Sequence, residues 1–355
     1  MKIPVQTRRQ LLQSTSALML ATLLPGCAAL QGGRSNRRPV AFADIPRSEY
    51  GFATTADEVA AAYDLRGKTI LVTGCNSGLG YESLRTFAAR GAHVIGTART
   101  AEKAAQACQS VAGKTTPVVC ELSSMESVAA CADTVQKLLA RDDEALDVLM
   151  CNAGIMALPK LEQMTLQVDG KPVVLEKQFV VNHLGHYLLA RRLLPQLLAA
   201  LAGRVVMVSS GGYTLAPAGG IQFDNLSYAQ GYQPFKAYGQ SKLANILMAN
   251  ELSRRYFADG LTANSIAPGV VATNLGRYIS GKMRDPDKPL GKGQKWPDQG
   301  AATQVYAAID TRLADVSGYY FEDCNPVELR GPYATDAALA ERLWQVSEQL
   351  VKNYQ

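Results

Sequence analysis

Histidine, tryptophan and clustered cysteine are scarce in this 355-residue chain. Three histidines, His93, His183 and His186, are too scattered for a metal centre. His183 and His186 stand at i,i+3, but no cysteine or carboxylate at ligand spacing accompanies them, so both read as structural. The seven cysteines, Cys27, Cys75, Cys108, Cys120, Cys131, Cys151 and Cys324, form no C-x-x-C pair and no compact framework. They read as small buried apolar residues, and no disulfide is expected. No apolar run reaches the roughly 20 residues that a membrane-spanning helix needs. Internal repeats are missing too. Acidic residues are absent before Asp44, whereas Lys2, Arg8, Arg9, Arg34, Arg37 and Arg38 all lie there. The net charge of +5 therefore belongs to the N-terminus, and the near-neutral remainder offers nothing to nucleic acid.

That N-terminus has the order of a secretory signal: charged, then briefly apolar, then small. Arg8-Arg9 before the run Ser14–Leu24 is similar to a twin-arginine signal, which implies the export machinery that moves folded proteins. Leu24-Pro-Gly-Cys27 resembles a bacterial lipobox, with Pro25 unusual in it, and implies a lipid anchor at Cys27. The expected division is a signal over residues 1–27, a tether over 28–50 and one catalytic domain over 51–355. Export would place the protein in the periplasm, free or membrane-anchored.

The hydrophobic fraction of 47% is ample for a core. From Lys68 onward, apolar strand-like runs alternate with helical periodicity. Strands are expected at 68–72, 91–97, 117–120, 146–150, 204–208 and 261–266. Helices are expected at about 55–62, up to Arg90, 101–111, 125–139, 174–201 and from Tyr238 on. Excursions fall at 156–173, 211–235 and 274–298. This order predicts an α/β fold: a single Rossmann-like, doubly wound parallel sheet with helices on both faces.

Two stretches carry chemistry. Thr73-Gly-Cys-Asn-Ser-Gly-Leu-Gly80 follows a strand and opens a helix, where glycines let backbone approach a pyrophosphate and the helix N-terminus supplies amides. Tyr238-Gly-Gln-Ser-Lys242 puts a phenol and an ammonium on one helix face. The cation is expected to lower the tyrosine pKa toward working pH, suiting it to proton transfer at a carbonyl or alcohol.

Beside these stand Cys151-Asn-Ala-Gly154, Asn182-His-Leu-Gly-His186, Val208-Ser-Ser210, Pro268-Gly-Val-Val-Ala-Thr273 and Ser317-Gly-Tyr-Tyr-Phe-Glu-Asp-Cys324. Together, in this order, they resemble the short-chain dehydrogenase/reductase family, and most of all its retinol-dehydrogenase-like branch, from about residue 66 to the end. The resemblance implies an NAD(P)-dependent enzyme interconverting an alcohol and a carbonyl. Tyr238 would be the general acid/base, Lys242 its partner and a ribose contact. Ser210, rather than Ser209, would orient the substrate, and Asn182 would kink its helix and tie Lys242 to a water relay. Gly74, Gly78 and Gly80 would frame the pyrophosphate, with Asn76, Ser77 and Leu79 in the same turn. Asn152, Ala153 and Gly154 would line the cleft, Glu121 and Leu122 would meet adenine, and Pro268, Gly269, Val271 and Thr273 would hold the carboxamide.

The second strand ends Gly96-Thr-Ala-Arg99 with no acid to bind a ribose hydroxyl, and Arg99 suits a 2′-phosphate, so NADP is expected over NAD. The substrate is expected to be a small apolar alcohol or carbonyl, with Met156, Leu158 and Leu161 as pocket candidates. Lys282, Arg284, Lys288, Lys292 and Lys295 read as a solvated basic loop. The alternatives are a non-catalytic nucleotide-binding scaffold, which would not need all of Asn182, Ser210, Tyr238 and Lys242, and an epimerase or dehydratase, which the glycine spacing disfavours.

Overall fold

The computed structural model describes residues 37–280 and 289–355. The leader, Cys27, Lys282, Arg284 and Lys288 lie outside them. One sheet holds the strands β1 (Thr69–Thr73), β2 (His93–Ala98), β3 (Thr115–Val119), β4 (Val148–Cys151), β7 (Arg204–Val208), β8 (Thr262–Ala267), β11 (Tyr320–Glu322) and β12 (Asn325–Pro326), of which the central β1, β2, β4, β7 and β8 are buried throughout. Their spatial order is β12-β11-β8-β7-β4-β1-β2-β3, parallel except for β11–β12. Chain progression reverses between β1 and β4. Their C-terminal ends therefore form the crevice in which such folds take ligands.

Helices cover both faces. On one lie α1 (Ala56–Ala60), α2 (Gly78–Ala89), α3 (Ala101–Gln109) and α7 (Pro297–Ile309). On the other lie α4 (Met125–Asp142), α5, α6 (Pro234–Tyr256) and α8 (Ala337–Val351). Helix α5 comprises Lys177–Phe179, a π turn Val180–Leu184, and Gly185–Ala199. Thr55 caps α1 with a full capping box through Glu58. The six described cysteines are free and buried.

Two expectations are corrected. The long helix begins at Lys177, not Val174, because residues 163–176 form an antiparallel hairpin of β5 (Gln163–Val168) and β6 (Lys171–Glu176). Asp169-Gly170, with φ of 53° and 71°, makes its turn, and the Glu176 carboxylate then caps α5 by accepting from Phe179 N at 2.9 Å.

Residues 37–50 are the second correction, for they do not hang free. Arg37 donates to Asp315 Oδ1 at 2.8 Å and lies 4.4 Å over the Phe257 ring. Val40 N donates to Asp315 O at 3.1 Å and Ile45 is buried. Ser48 bonds Cys324 O and Asn325 Oδ1 at 2.8 and 3.0 Å. The segment is bonded to residues on either side of β11, Asp315 and Tyr319 before it and Cys324 and Asn325 after it, and the boundary drawn at residue 50 falls inside packed structure.

Two short strands complete the chain, β9 (Val270–Val271) and β10 (Gln294–Lys295), paired in parallel.

Candidate active site

The glycine turn leaves β1 through Gly74, at φ +69°, where a Cβ would stand 2.8 Å from that of Ala153. At Gly80 a Cβ would come within 2.2 Å of Gly74 O and 2.5 Å of Asn152 Nδ2. No side chain at those two positions can be fitted without moving backbone. Helix α2 starts at Gly78, and its N-cap, Ser77, makes no side-chain cap bond. The first amides of α2 are left for an anion.

This turn forms one wall of a cleft of about 280 Å³. Of the residues expected there, Gly74, Asn76, Ser77, Gly78 and Leu79 line it from the turn. Arg99, Glu121 and Leu122 line it beyond β2 and β3, and Asn152, Ala153, Gly154 and Thr273 complete it. Arg99 is exposed and has no carboxylate partner among the described residues. The Glu121 carboxylate accepts from Ser123 N and Ser123 Oγ, at 3.1 and 2.8 Å.

Gly80, Pro268, Gly269 and Val271 are not among the lining residues, nor are Tyr238, Lys242, Ser210 and Asn182. Gly80 serves helix packing, and Val271 packs with Leu79 around the bare Cα of Gly300. Gly269 (φ +87°) leaves room for the stem of Lys295, whose Cε would lie 3.3 Å from a Cβ there.

Lys295 therefore contradicts the solvated-loop reading. It is 1% exposed, pairs with Asp323 at 2.5 Å and lies 5.0 Å under the Phe52 ring. Lys292, by contrast, is exposed.

Behind Gly154 lies the catalytic candidate set. A Cβ on Gly154 would stand 3.1 Å from Asn182 Oδ1 and 3.6 Å from Lys242 Nζ. Tyr238 and Lys242 share one face of α6, with Nζ 5.7 Å from the ring centroid, and both are buried. Ser210 Oγ stands beside the Tyr238 ring, the two 3.3 and 3.0 Å from where a Cβ on Gly212 would be, while Ser209 turns away and donates to Lys242 O at 2.8 Å. Side-chain alternation at the strand end thus sends Ser209 and Ser210 opposite ways, with Ser210 toward Tyr238.

Asn182 sits in the π turn, a break that puts its amide across to the next segment: Oδ1 accepts from Ile155 N at 2.8 Å, and Nδ2 donates to Ile155 O and Ser241 Oγ, each at 2.9 Å. The Lys242 ammonium donates to Val208 O at 2.9 Å.

The expected lowering of the Tyr238 pKa does not occur. Burial pushes the phenol up to about 12, against a smaller opposing effect of the Ser210 bond. Burial likewise drives Lys242 down to about 8. The ammonium is bonded to the Val208 carbonyl and stands 5.7 Å from the ring centroid, and burial is the largest cause of both shifts. Tyr238 consequently keeps its proton at neutral pH, in the donating form.

Sequence reasoning missed three contributors. Thr73 Oγ1 accepts from Asn152 N and Ala153 N at 2.9 and 3.0 Å. His186 donates from Nδ1 to Asn182 O at 2.9 Å, so its Nε2 accepts from Thr73 Oγ1, also at 2.9 Å. Burial holds His186 neutral by lowering its pKa to about 4. His183, lowered to about 3, bonds Ser347 instead. Gln304, from α7, donates to Asn152 Oδ1 at 3.2 Å. A polar residue closing a strand was the only signal for Thr73. Ile155, Leu158 and Val181 give the cleft an apolar end beside Gly154.

Bare glycine backbone, uncapped helix amides, an unpaired guanidinium and a proton-bearing phenol beside an ammonium fit a dinucleotide with a reducible substrate next to it. They define a nucleotide-binding α/β oxidoreductase. Residues 68–223 match the family model described as short chain dehydrogenase. The chain is 37% identical over 317 residues to short-chain dehydrogenase TIC 32 A, chloroplastic, of Brassica napus, covering 86% of this chain and 96% of that one. It is 38% identical over 311 residues to Homo sapiens retinol dehydrogenase 14, covering 81% and 87%. Among solved structures, an uncharacterised Mycobacterium paratuberculosis protein aligns with a TM-score of 0.62 at 32% identity, over 88% of this chain and 98% of that one. A Pseudomonas aeruginosa RhlG/NADP active-site complex aligns at 0.54 and 26%, over 73% and 95%. The chain belongs to the short-chain dehydrogenase/reductase family, whose members use NAD(P).

Proposed function

We propose that this protein reduces or oxidises an apolar carbonyl–alcohol pair with NADP(H), using Tyr238 as its proton donor and acceptor. The observation that carries this reading is the buried Tyr238–Lys242 pair, with Ser210 beside the tyrosine ring and the lysine ammonium directly behind the cleft wall at Gly154. A bound nicotinamide would supply or take the hydride. Ser210 Oγ orients the substrate oxygen toward the Tyr238 hydroxyl, which gives its proton to that oxygen in reduction and recovers it in oxidation. Asn182 holds the Ile155 backbone and keeps the Gly154 wall in place. Ile155, Leu158 and Val181 exclude water from an apolar substrate.

NADP rather than NAD is favoured by Arg99, exposed at the cleft and ion-paired with no carboxylate among the described residues, so that its guanidinium is free for a 2′-phosphate. Tyr238→Phe tests the proton role: hydride transfer to a panel of apolar aldehydes and ketones should vanish while NADPH still binds. Retained turnover would require another proton donor. Export, with a lipid at Cys27, remains our reading of the leader sequence alone. Replacing both Arg8 and Arg9 by lysine should hold the protein in the cytoplasm, and unchanged export would remove that reading.

A further inference from the structure

Arg277 opens the helical turn Arg277–Ser280, just beyond the 268–273 loop. It lines the same cleft as the glycine turn, together with Thr273, Asn274 and Tyr278. This segment lies opposite the start of α2: a Cβ on Gly78 would stand 3.2 Å from Thr273 Cγ2. Thr273 Oγ1 caps the segment by accepting from Leu275 N at 3.3 Å. The guanidinium is held by donation from Nη1 to Asn274 O at 2.9 Å and by the Tyr278 ring 4.5 Å beneath it. Neither contact neutralises its charge, and no carboxylate pairs with it among the described residues.

The cleft has two other cations, Lys177 and Arg99. Lys177 is paired with Glu162 at 2.7 Å. Arg99 is unpaired, but it stands past the end of β2, on the side of Glu121 and Leu122. The cleft thus carries, at two places, guanidiniums that no carboxylate among the described residues pairs with. One is beside the adenine-side residues, and the other is on the segment that follows Thr273, which adjoins the start of α2. A 2′-phosphorylated dinucleotide has two anionic groups, a monoester and a pyrophosphate. A planar guanidinium serves either through paired N–H donors.

We propose that Arg277 is a pyrophosphate contact, working with the amides of α2, so that Arg277 and Arg99 divide the two anionic groups of the nucleotide between them. The inference rests on the nucleotide reading above and deepens it. Arg277 then contributes to NADPH and NADH alike, and only Arg99 distinguishes them.

Four probes separate these roles in binding titrations that need no turnover: NADPH, NADH, ADP, which has the pyrophosphate without the 2′-phosphate, and 2′-AMP, which has the reverse. ADP and 2′-AMP are read by displacement of NADPH. Arg277→Gln should weaken NADPH, NADH and ADP by a similar factor, about tenfold or more for a charge-assisted bond, and leave 2′-AMP unchanged. Arg277→Lys should recover part of that loss. Arg99→Gln should weaken NADPH and 2′-AMP and spare ADP.

Unchanged ADP affinity in Arg277→Gln would overturn the inference. So would a loss of 2′-AMP equal to that of ADP, which would mark a general collapse of the cleft. A native protein that binds none of the four would overturn the nucleotide reading itself, whereas native binding with an inert Arg277 would overturn this inference alone.

Discussion

Replacing Lys242 by methionine should abolish activity and make the protein more stable at neutral pH. The side chain is 3% exposed, and burial lowers its pKa from 10.5 to about 8. That fall corresponds to ~3 kcal/mol spent on keeping a charge in the folded interior. Methionine fills a similar volume and carries no charge. It forfeits the bond to Val208 O, worth about 1 kcal/mol. That carbonyl is not orphaned, because Asn245 Nδ2 still donates to it at 3.2 Å. The net expectation is a gain of ~2 kcal/mol at pH 7.

The sign with pH follows from linkage. Between about 8 and 10.5 the unfolded chain holds a proton on Lys242 that the folded protein has released. Stability of the native protein therefore rises with pH across that window, and the variant's advantage is complete below pH 8 and gone by about pH 10.5. The titrating groups facing the ammonium, Tyr238 and His186, are shared by both proteins and subtract out. Urea unfolding of both at pH 7 and pH 10 measures the gap. A variant less stable at pH 7, or a gap that does not change with pH, would refute the reasoning.

The remaining predictions concern the proton donor and the cofactor wall. In a native enzyme reducing a carbonyl, the Tyr238 hydroxyl stays protonated until the pH approaches its value of about 12, so the nucleotide-free protein should show no phenolate absorbance from this residue at pH 10, which a difference spectrum against Tyr238→Phe checks. Gly80→Ala forces a Cβ to 2.2 Å from Gly74 O, and overpacking of this kind should cost about 1–3 kcal/mol in urea unfolding and weaken NADPH binding as the turn shifts. Unaltered stability would mean that the turn relaxes freely. Arg99→Ala should lower NADPH affinity and leave NADH affinity as it was, and an unchanged preference would place 2′-phosphate recognition elsewhere.

Much of the sheet was legible because its strands are short β-branched runs separated by helical periodicity. Thr69–Thr73, His93–Ala98 and Arg204–Val208 fall within one or two residues of expectation. The helix placed from Val174 failed for a physical reason: Val173, Val174 and Leu175 fit helical spacing as well as a strand, and the Asp169-Gly170 turn signal was passed over. Ordinary helix signals also went unused at α7 and α8, which begin at Pro297 and after the N-cap Asp336.

For the site, glycine and Tyr–Lys spacings located the cleft wall and the pair behind it. Burial depth could not be read that way. The phenol pKa moves up rather than down because the fold buries Tyr238 and aims Lys242 at a carbonyl. Lys295 seemed solvated because its sequence neighbours are charged, yet Gly269, Phe52 and Asp323, all distant in sequence, enclose it. Long-range enclosure of this kind leaves no local trace.

The most direct test of the account is a pair of equilibrium titrations of the native protein with NADPH and NADH. A site with Arg99 free to meet a 2′-phosphate should bind NADPH about ten- to a hundredfold more tightly. Equal affinities, tighter NADH, or no binding of either nucleotide would contradict it.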